Sequence, residues 1–191
     1  PEFDTDREGG LIRARGAGIW RMIVIGGTPE MNLRAKLLAE REDGIFCTAG
    51  LDPAGIVGMN PENLERGSKV RKTVAVGEIG LDQHHKYSSL DHQREMFRAQ
   101  LSLAKKEELP VVIHSRETGP EMLEEYSKSG RPGGVWHSFV GSQEEAFRAL
   151  DLGLFISFSG MLTFKNAPGL REIAPKIPED RLLVETDSPY L

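Results

Sequence analysis

Four side chains able to bind divalent cations stand where four short apolar runs end. Val74-Ala75-Val76-Gly77 leads to Glu78, with Asp82 just beyond. Val111-Val112-Ile113 leads to His114, Val135-Trp136 leads to His137, and Leu182-Leu183-Val184-Glu185-Thr186 leads to Asp187. A single His or Asp after a strand is commonly a cap or a satisfied surface group. Four of them in equivalent positions, all of metal-binding type, form a pattern. Imidazole and carboxylate suit Zn, Mn, Co or Mg, and carboxylates shared between ions suit two-metal hydrolysis. The expected chemistry is therefore hydrolysis by metal-activated water.

The elements that must position these groups alternate in type. Strands are expected near residues 21, 45, 73, 110, 134, 154 and 182. The run near 73 is expected to stop at Gly77. Helices are expected from Thr28-Pro29-Glu30 through Leu33, Leu37, Leu38 and Ala39, over 91–108 behind Ser88 or Ser89, around 120–127, over 142–150 and over 169–174. Thr28 and Pro29 form a helix start, and Ser142 with Glu145 three residues on forms a capping box. A less regular helix over 4–15 and a short one around 61–65 complete the pattern, with Leu11, Ile12 and Ala14 as the apolar side of the first. Repeated βα units imply a parallel sheet with right-handed crossovers. Polar residues at so many strand ends point to an α/β, TIM-like (β/α) barrel with a ring-shaped site. Seven of the eight strands of such a barrel are present. Gly16 and Gly18 precede the first strand and open no helix after it, so they form no dinucleotide fingerprint.

Composition narrows the functional classes. The 191 residues carry a formal net charge of −5, which excludes a strongly basic polyanion binder. It leaves nucleic acid open as a substrate, because bound metal supplies the missing positive charge. The one cysteine, Cys47, lies in an apolar run, forbids an internal disulfide and fits a reducing, cytoplasmic compartment. No apolar run approaches the ~18 residues of a membrane span. Cys-x-x-Cys, Walker, Gly-x-Ser-x-Gly and His-Glu-x-x-His motifs are absent. The basic pieces 66–72 and Lys105-Lys106 read as solvated faces.

Taken together, Gly77-Glu78-Ile79-Gly80-Leu81-Asp82, Leu109-Pro110-Val111-Val112-Ile113-His114-Ser115-Arg116, His137-Ser138-Phe139 and Glu185-Thr186-Asp187-Ser188-Pro189-Tyr190-Leu191 resemble the TatD family of metal-dependent deoxyribonucleases, within the amidohydrolase-like barrels. The resemblance covers nearly the whole chain. It implies a hydrolase that cleaves DNA phosphodiesters with two divalent metals, Mg, Mn or Zn. It also implies Glu78 as bridging ligand, His114 and His137 as ligands of the second metal, and Asp187 as the last ligand, which orients the attacking water. Arg116 and His84 become candidate phosphate contacts, Arg116 because its planar fork suits phosphate. Asp82 reads as a residue that steers a ligand or a loop. His85 and His92 read as surface residues.

The departures from the family pattern are specific. The family's first strand carries His-x-His, which supplies ligands to the first metal, and no His-x-His occurs among the five histidines here. Where the family has Gly-x-His-Pro-His, this chain has Gly50-Leu51-Asp52-Pro53-Ala54, and Gln83 replaces an aromatic. Asp52 reads as a loop cap. The chain is thus expected to be one hydrolase domain, 1–191, truncated at both ends and holding two, one or no ions. The open sheet edges offer a route to a dimer. Two alternatives stay open: an amidohydrolase-like enzyme on a small ester, lactone or amide, and an inactive relative serving as a binding protein.

Overall fold

The computed structural model describes residues 3–64 and 72–190. Within them the chain runs α1 (Arg7–Gly16), β1 (Met22–Val24), α2 (Pro29–Arg41), β2 (Ile45–Thr48), β3 (Thr73–Asp82), α3 (Leu90–Glu107), β4 (Val111–Arg116), α4 (Gly119–Lys128), β5 (Gly134–Trp136), α5 (Gln143–Asp151), β6 (Phe155–Phe158), α6 (Pro168–Ile173) and β7 (Leu182–Val184), with short 3-10 turns between. The seven strands form one parallel sheet in sequential order, β1 to β7. This is a TIM-like α/β barrel wall of seven strands, as the strand–helix alternation predicts. The edges are β1 and β7, where Ile23, Leu183 and Val184 are exposed.

Local chemistry explains the helix starts. Thr28 accepts the Met31 amide, Ser89 accepts the His92 amide, and Ser142 with Glu145 closes the expected capping box. Packing explains why the faces differ from a simple apolar count. In α2, Leu33 and Leu37 are exposed while Ala35 and Ala39 are buried against Ile45 and Cys47. Small side chains let α2 approach β2 closely. In α1 nothing is buried, and Ile12 is exposed. The main core lies between β3–β6 and α3–α6, around Phe97, Leu101, Ile113, Tyr126, Trp136 and Phe139.

Two readings change. Lys72 is no solvated residue: its ammonium donates to the Ala39 and Glu42 carbonyls at the end of α2, at 2.6 and 2.7 Å. A cation satisfying the last carbonyls of a helix stabilises that end. The short helix around 61–65 is a 3-10 turn, Pro61–Asn63, and the remaining basic residues, 66–71, lie outside the described residues.

The larger correction concerns β3. It does not stop at Gly77 but continues through Glu78 to Asp82. Its pairing with β4 runs Val76 to Val111 and then Ile79 to Ile113, so three residues on β3 match two on β4. Such a bulge re-aims a side chain within a strand, and Glu78 lies inside it. Glycines make the close approach possible. A Cβ at Gly77 would meet the Val112 Cβ at 2.7 Å, and one at Gly80, whose φ is +151°, would meet the His114 carbonyl oxygen at 1.9 Å. Backbone cannot step aside as a flexible side chain can. Gly80→Ala is therefore expected to lower stability by at least about 2 kcal/mol. Gly16→Ala, with nothing near its Cβ, should be neutral or slightly stabilising. Denaturant unfolding of both variants checks the contrast.

Candidate metal centre

The bulge turns Glu78 towards two imidazoles. Glu78 Oε1 lies 3.0 Å from His114 Nδ1 and 2.8 Å from His137 Nε2. Among the described residues, one ligand atom from each of Glu78, His114 and His137 falls within 4.8 Å of the others. His114 sits inside β4, on the face it shares with Arg116, while His137 directly follows β5. Three separate strands thus deliver one oxygen and two nitrogens to one point.

The other nitrogen of each imidazole is also held. His114 Nε2 donates to Asp82 Oδ2 at 3.2 Å, and His137 Nδ1 donates to Glu185 Oε1 at 3.2 Å. Glu185 is fixed in turn by the Ser138 amide at 2.7 Å and the Ser157 hydroxyl at 2.8 Å. Asp82 is fixed through its backbone: buried Gln93 of α3 accepts the Asp82 amide and donates to its carbonyl. An outer carboxylate on the far nitrogen is the arrangement that orients metal-binding histidines. These residues therefore fit a divalent cation: the inner donors converge, and the outer groups set ring orientation.

The remaining candidates stand around this cluster. Asp187 follows β7 in a left-handed conformation, φ 52°, half-buried and outside the convergent trio. Arg116, whose Cα pairs with that of Asp82, has no ion pair among the described residues. Two acids close to it in sequence or beside the site are otherwise engaged, Glu117 with His84 at 2.8 Å and Glu185 with His137. Asp52 caps its own loop, accepting the Ala54 and Gly55 amides at 2.8 and 2.6 Å. His92 Nε2 contacts the Ile56 carbonyl. His85, read as a surface residue, bonds Asp82 through both its amide and Nδ1, each at 2.8 Å. Glu185 is the supporting residue that sequence reasoning did not single out. Its only signal was an acid placed two residues before Asp187.

Electrostatics follow from this geometry. Burial alone would lower the histidine pKa values, but carboxylates overcome it. His114, bonded to Asp82 and Glu78, is raised to about 9. His137, beside Glu78 and Glu185, is raised to about 10. Burial would raise Glu78 and Asp82, yet the charge of His137 and hydrogen bonds from His114 and His137 for the first, and hydrogen bonds from His114 and His85 for the second, hold both well below the usual carboxylate range. Glu185 is likewise lowered, against burial, by His137. Asp187 is raised, first by burial and then by Glu78 and Glu185 against the pull of His137. Asp52 is raised chiefly by burial.

The chain is similar to known proteins over its whole length. Residues 1–191 match the family described as TatD related DNase. The chain is 37% identical over 195 residues to the metal-dependent hydrolase YabD of Bacillus subtilis (strain 168), covering 100% of this chain and 76% of that one. It is 38% identical over 198 residues to the 3′-5′ ssDNA/RNA exonuclease TatD of a Rahnella species (strain Y9602), covering 100% and 75%. The crystal structure of the TatD homologue YjjV from Escherichia coli K12 superposes with a TM-score of 0.92 at 35% identity, over 99% of this chain and 75% of that one.

Two outcomes follow. Removing an outer carboxylate, as in Glu185→Gln, should weaken divalent-metal binding about 10- to 100-fold, read by titration calorimetry. In chelator, His114 and His137 contribute their full stabilisation below their ordinary value of 6.5 and lose it as pH rises through about 9 and 10. The melting temperature of the metal-free chain should therefore fall between these limits, and His137→Gln should flatten the slope. Glu78 and Asp82, both depressed, give the opposite limb: their contribution is present above ordinary carboxylate values and fades as pH falls below them.

Proposed function

The chain belongs to the TatD-related DNase family of metal-dependent hydrolases, and from that premise we propose that it hydrolyses phosphodiester bonds in single-stranded DNA or RNA with a divalent cation held by Glu78, His114 and His137. The observation that supports this reading is the shared Glu78 oxygen, 3.0 and 2.8 Å from two imidazoles whose outer nitrogens are tied to Asp82 and Glu185. Two nitrogens and one carboxylate favour Mn or Zn over Mg, which prefers oxygen ligands. When bound, the ion supplies Lewis acidity, lowering the pKa of water and offsetting charge on the phosphodiester in the transition state.

The chain's own residues supply the rest. Asp82 and Glu185 keep both rings aimed inward. Asp187, whose raised pKa makes it a better proton acceptor than an ordinary aspartate, takes a proton from the attacking water. Arg116, without an acidic partner among the described residues, binds a phosphate oxygen through its fork. His84, paired with Glu117, contacts phosphate at the outer edge. Before the ion can bind, His114 and His137 must give up protons, so metal affinity climbs with pH up to about 9 and 10. No helix among the described residues is long and apolar enough to cross a membrane. The relatives' names give no support to the lactone, amide or inactive-binder readings.

End-labelled single-stranded DNA with added manganese is the direct test. Glu78→Gln and chelator should each abolish cleavage, and Asp187→Asn should lower kcat about 100- to 10,000-fold while leaving manganese binding measurable. Cleavage that survives Glu78→Gln would refute the assignment.

A further inference from the structure

Between the end of β3 and the start of α3, the chain presents three rings to solvent. His85 and Tyr87 are stacked, with centroids 5.2 Å apart and planes inclined by 21°. His84 meets His85 edge-on at 4.9 Å. Tyr87 is 43% exposed, which is a large surface for an aromatic residue that already has a stacking partner. The pair is held in place from below. His85 is tied twice to Asp82, and the second oxygen of that tie, Oδ2, also receives His114 Nε2. One carboxylate therefore links the exposed rings to a metal-centre histidine. Lys86, between the two stacked residues, has φ 53°. A left-handed lysine is an unfavourable conformation that persists only where its surroundings enforce it.

We propose that the His85–Tyr87 ring pair is a stacking platform for a nucleobase of the substrate, placing the adjoining phosphodiester over Glu78, His114 and His137. The inference rests on single-stranded nucleic acid being the substrate. An exposed aromatic face, fixed in direction, accepts any base, because every base has a π-face. Unstacked strands offer such faces, while duplex bases are already stacked. The chain carries a formal net charge of −5, so stacking supplies attraction that its overall charge does not.

Equilibrium binding tests this directly, by fluorescence anisotropy in manganese. The probes are a fluorescein-labelled oligothymidine with hydrolysis-resistant phosphorothioate linkages and the same strand made abasic at its 3′ end. The unmodified chain should bind the base-bearing strand about tenfold or more tightly than the abasic one. Tyr87→Ala and His85→Ala should remove that preference, Tyr87→Trp should keep it, and abasic binding should not change with Tyr87→Ala. A role confined to holding the loop would lower the melting temperature without touching the preference. Equal binding of both strands by the unmodified chain, a preference that survives Tyr87→Ala, or no binding of either strand would overturn the platform. Cleavage of an ordinary phosphodiester strand reports separately on the hydrolase reading. Base preference without cleavage would sink that reading alone, and cleavage without base preference would sink the platform alone.

Discussion

One carboxylate oxygen shared by two imidazoles is the constraint on which the rest of this structure depends. Glu78 Oε1 is within hydrogen-bond reach of His114 and His137, and reaching that point from three strands leaves little freedom elsewhere. The β3 bulge turns Glu78 in, and the glycines on either side of it let β3 lie close enough to β4 for the turn to work. Helix α3 then clamps the surrounding backbone with two buried glutamines, Gln93 on Asp82 and Gln100 on Leu51. Seven residues apart, they occupy the same helical face. A helix that could have buried only apolar groups instead spends two core positions on fixing loops beside the site.

Charges this buried are tolerated only in company. Removing one partner from such a network leaves an uncompensated charge, which is far more destabilising than the intact pair is stabilising. Glu78, His114, His137, Asp82 and Glu185 form a chain in which each acid faces at least one imidazole. Without metal, protons hold the chain together. A divalent cation held by Glu78, His114 and His137 would take the place of protons on the inner nitrogens, with Asp82 and Glu185 keeping their outer hydrogen bonds. The same five residues would thus serve both folding and ion binding, with pH setting the balance between the two.

Among the described residues, four of the six non-glycine residues with positive φ lie at the rim of this network, while Glu108 ends α3 and Arg131 follows α4. Lys86, Glu117, Ser138 and Asp187 all adopt positive φ without being glycine, and all lie in loops that follow or adjoin the strands bearing the site. Ser138 offers its amide to Glu185, Glu117 pairs with His84, and Lys86 separates the stacked rings. In these three cases the uncommon backbone position lies beside the centre, while the core beneath is packed around Trp136 and Phe139.

Much of this was legible in the residues themselves. Strand and helix alternate visibly because β-branched runs and capped amphipathic stretches have different periods, and all seven strands fall where those runs lie. Glu78, His114, His137 and Asp187 stood out by type and by place along apolar runs, and the structure brings the first three together while Asp187 lies outside that trio. Cys47, in its apolar run, is buried and free. What the linear order could not convey was which atoms meet. That β3 runs on through Glu78, that Glu185 stands behind His137, that Asp82 joins His85 to His114, and that Lys72 closes α2 all depend on register between strands and on helices docking from elsewhere. Residue types and spacing are local properties, carried by propensity and pattern. Convergence of three strands on one oxygen is set by close packing of backbones, and it exists only once the sheet has formed.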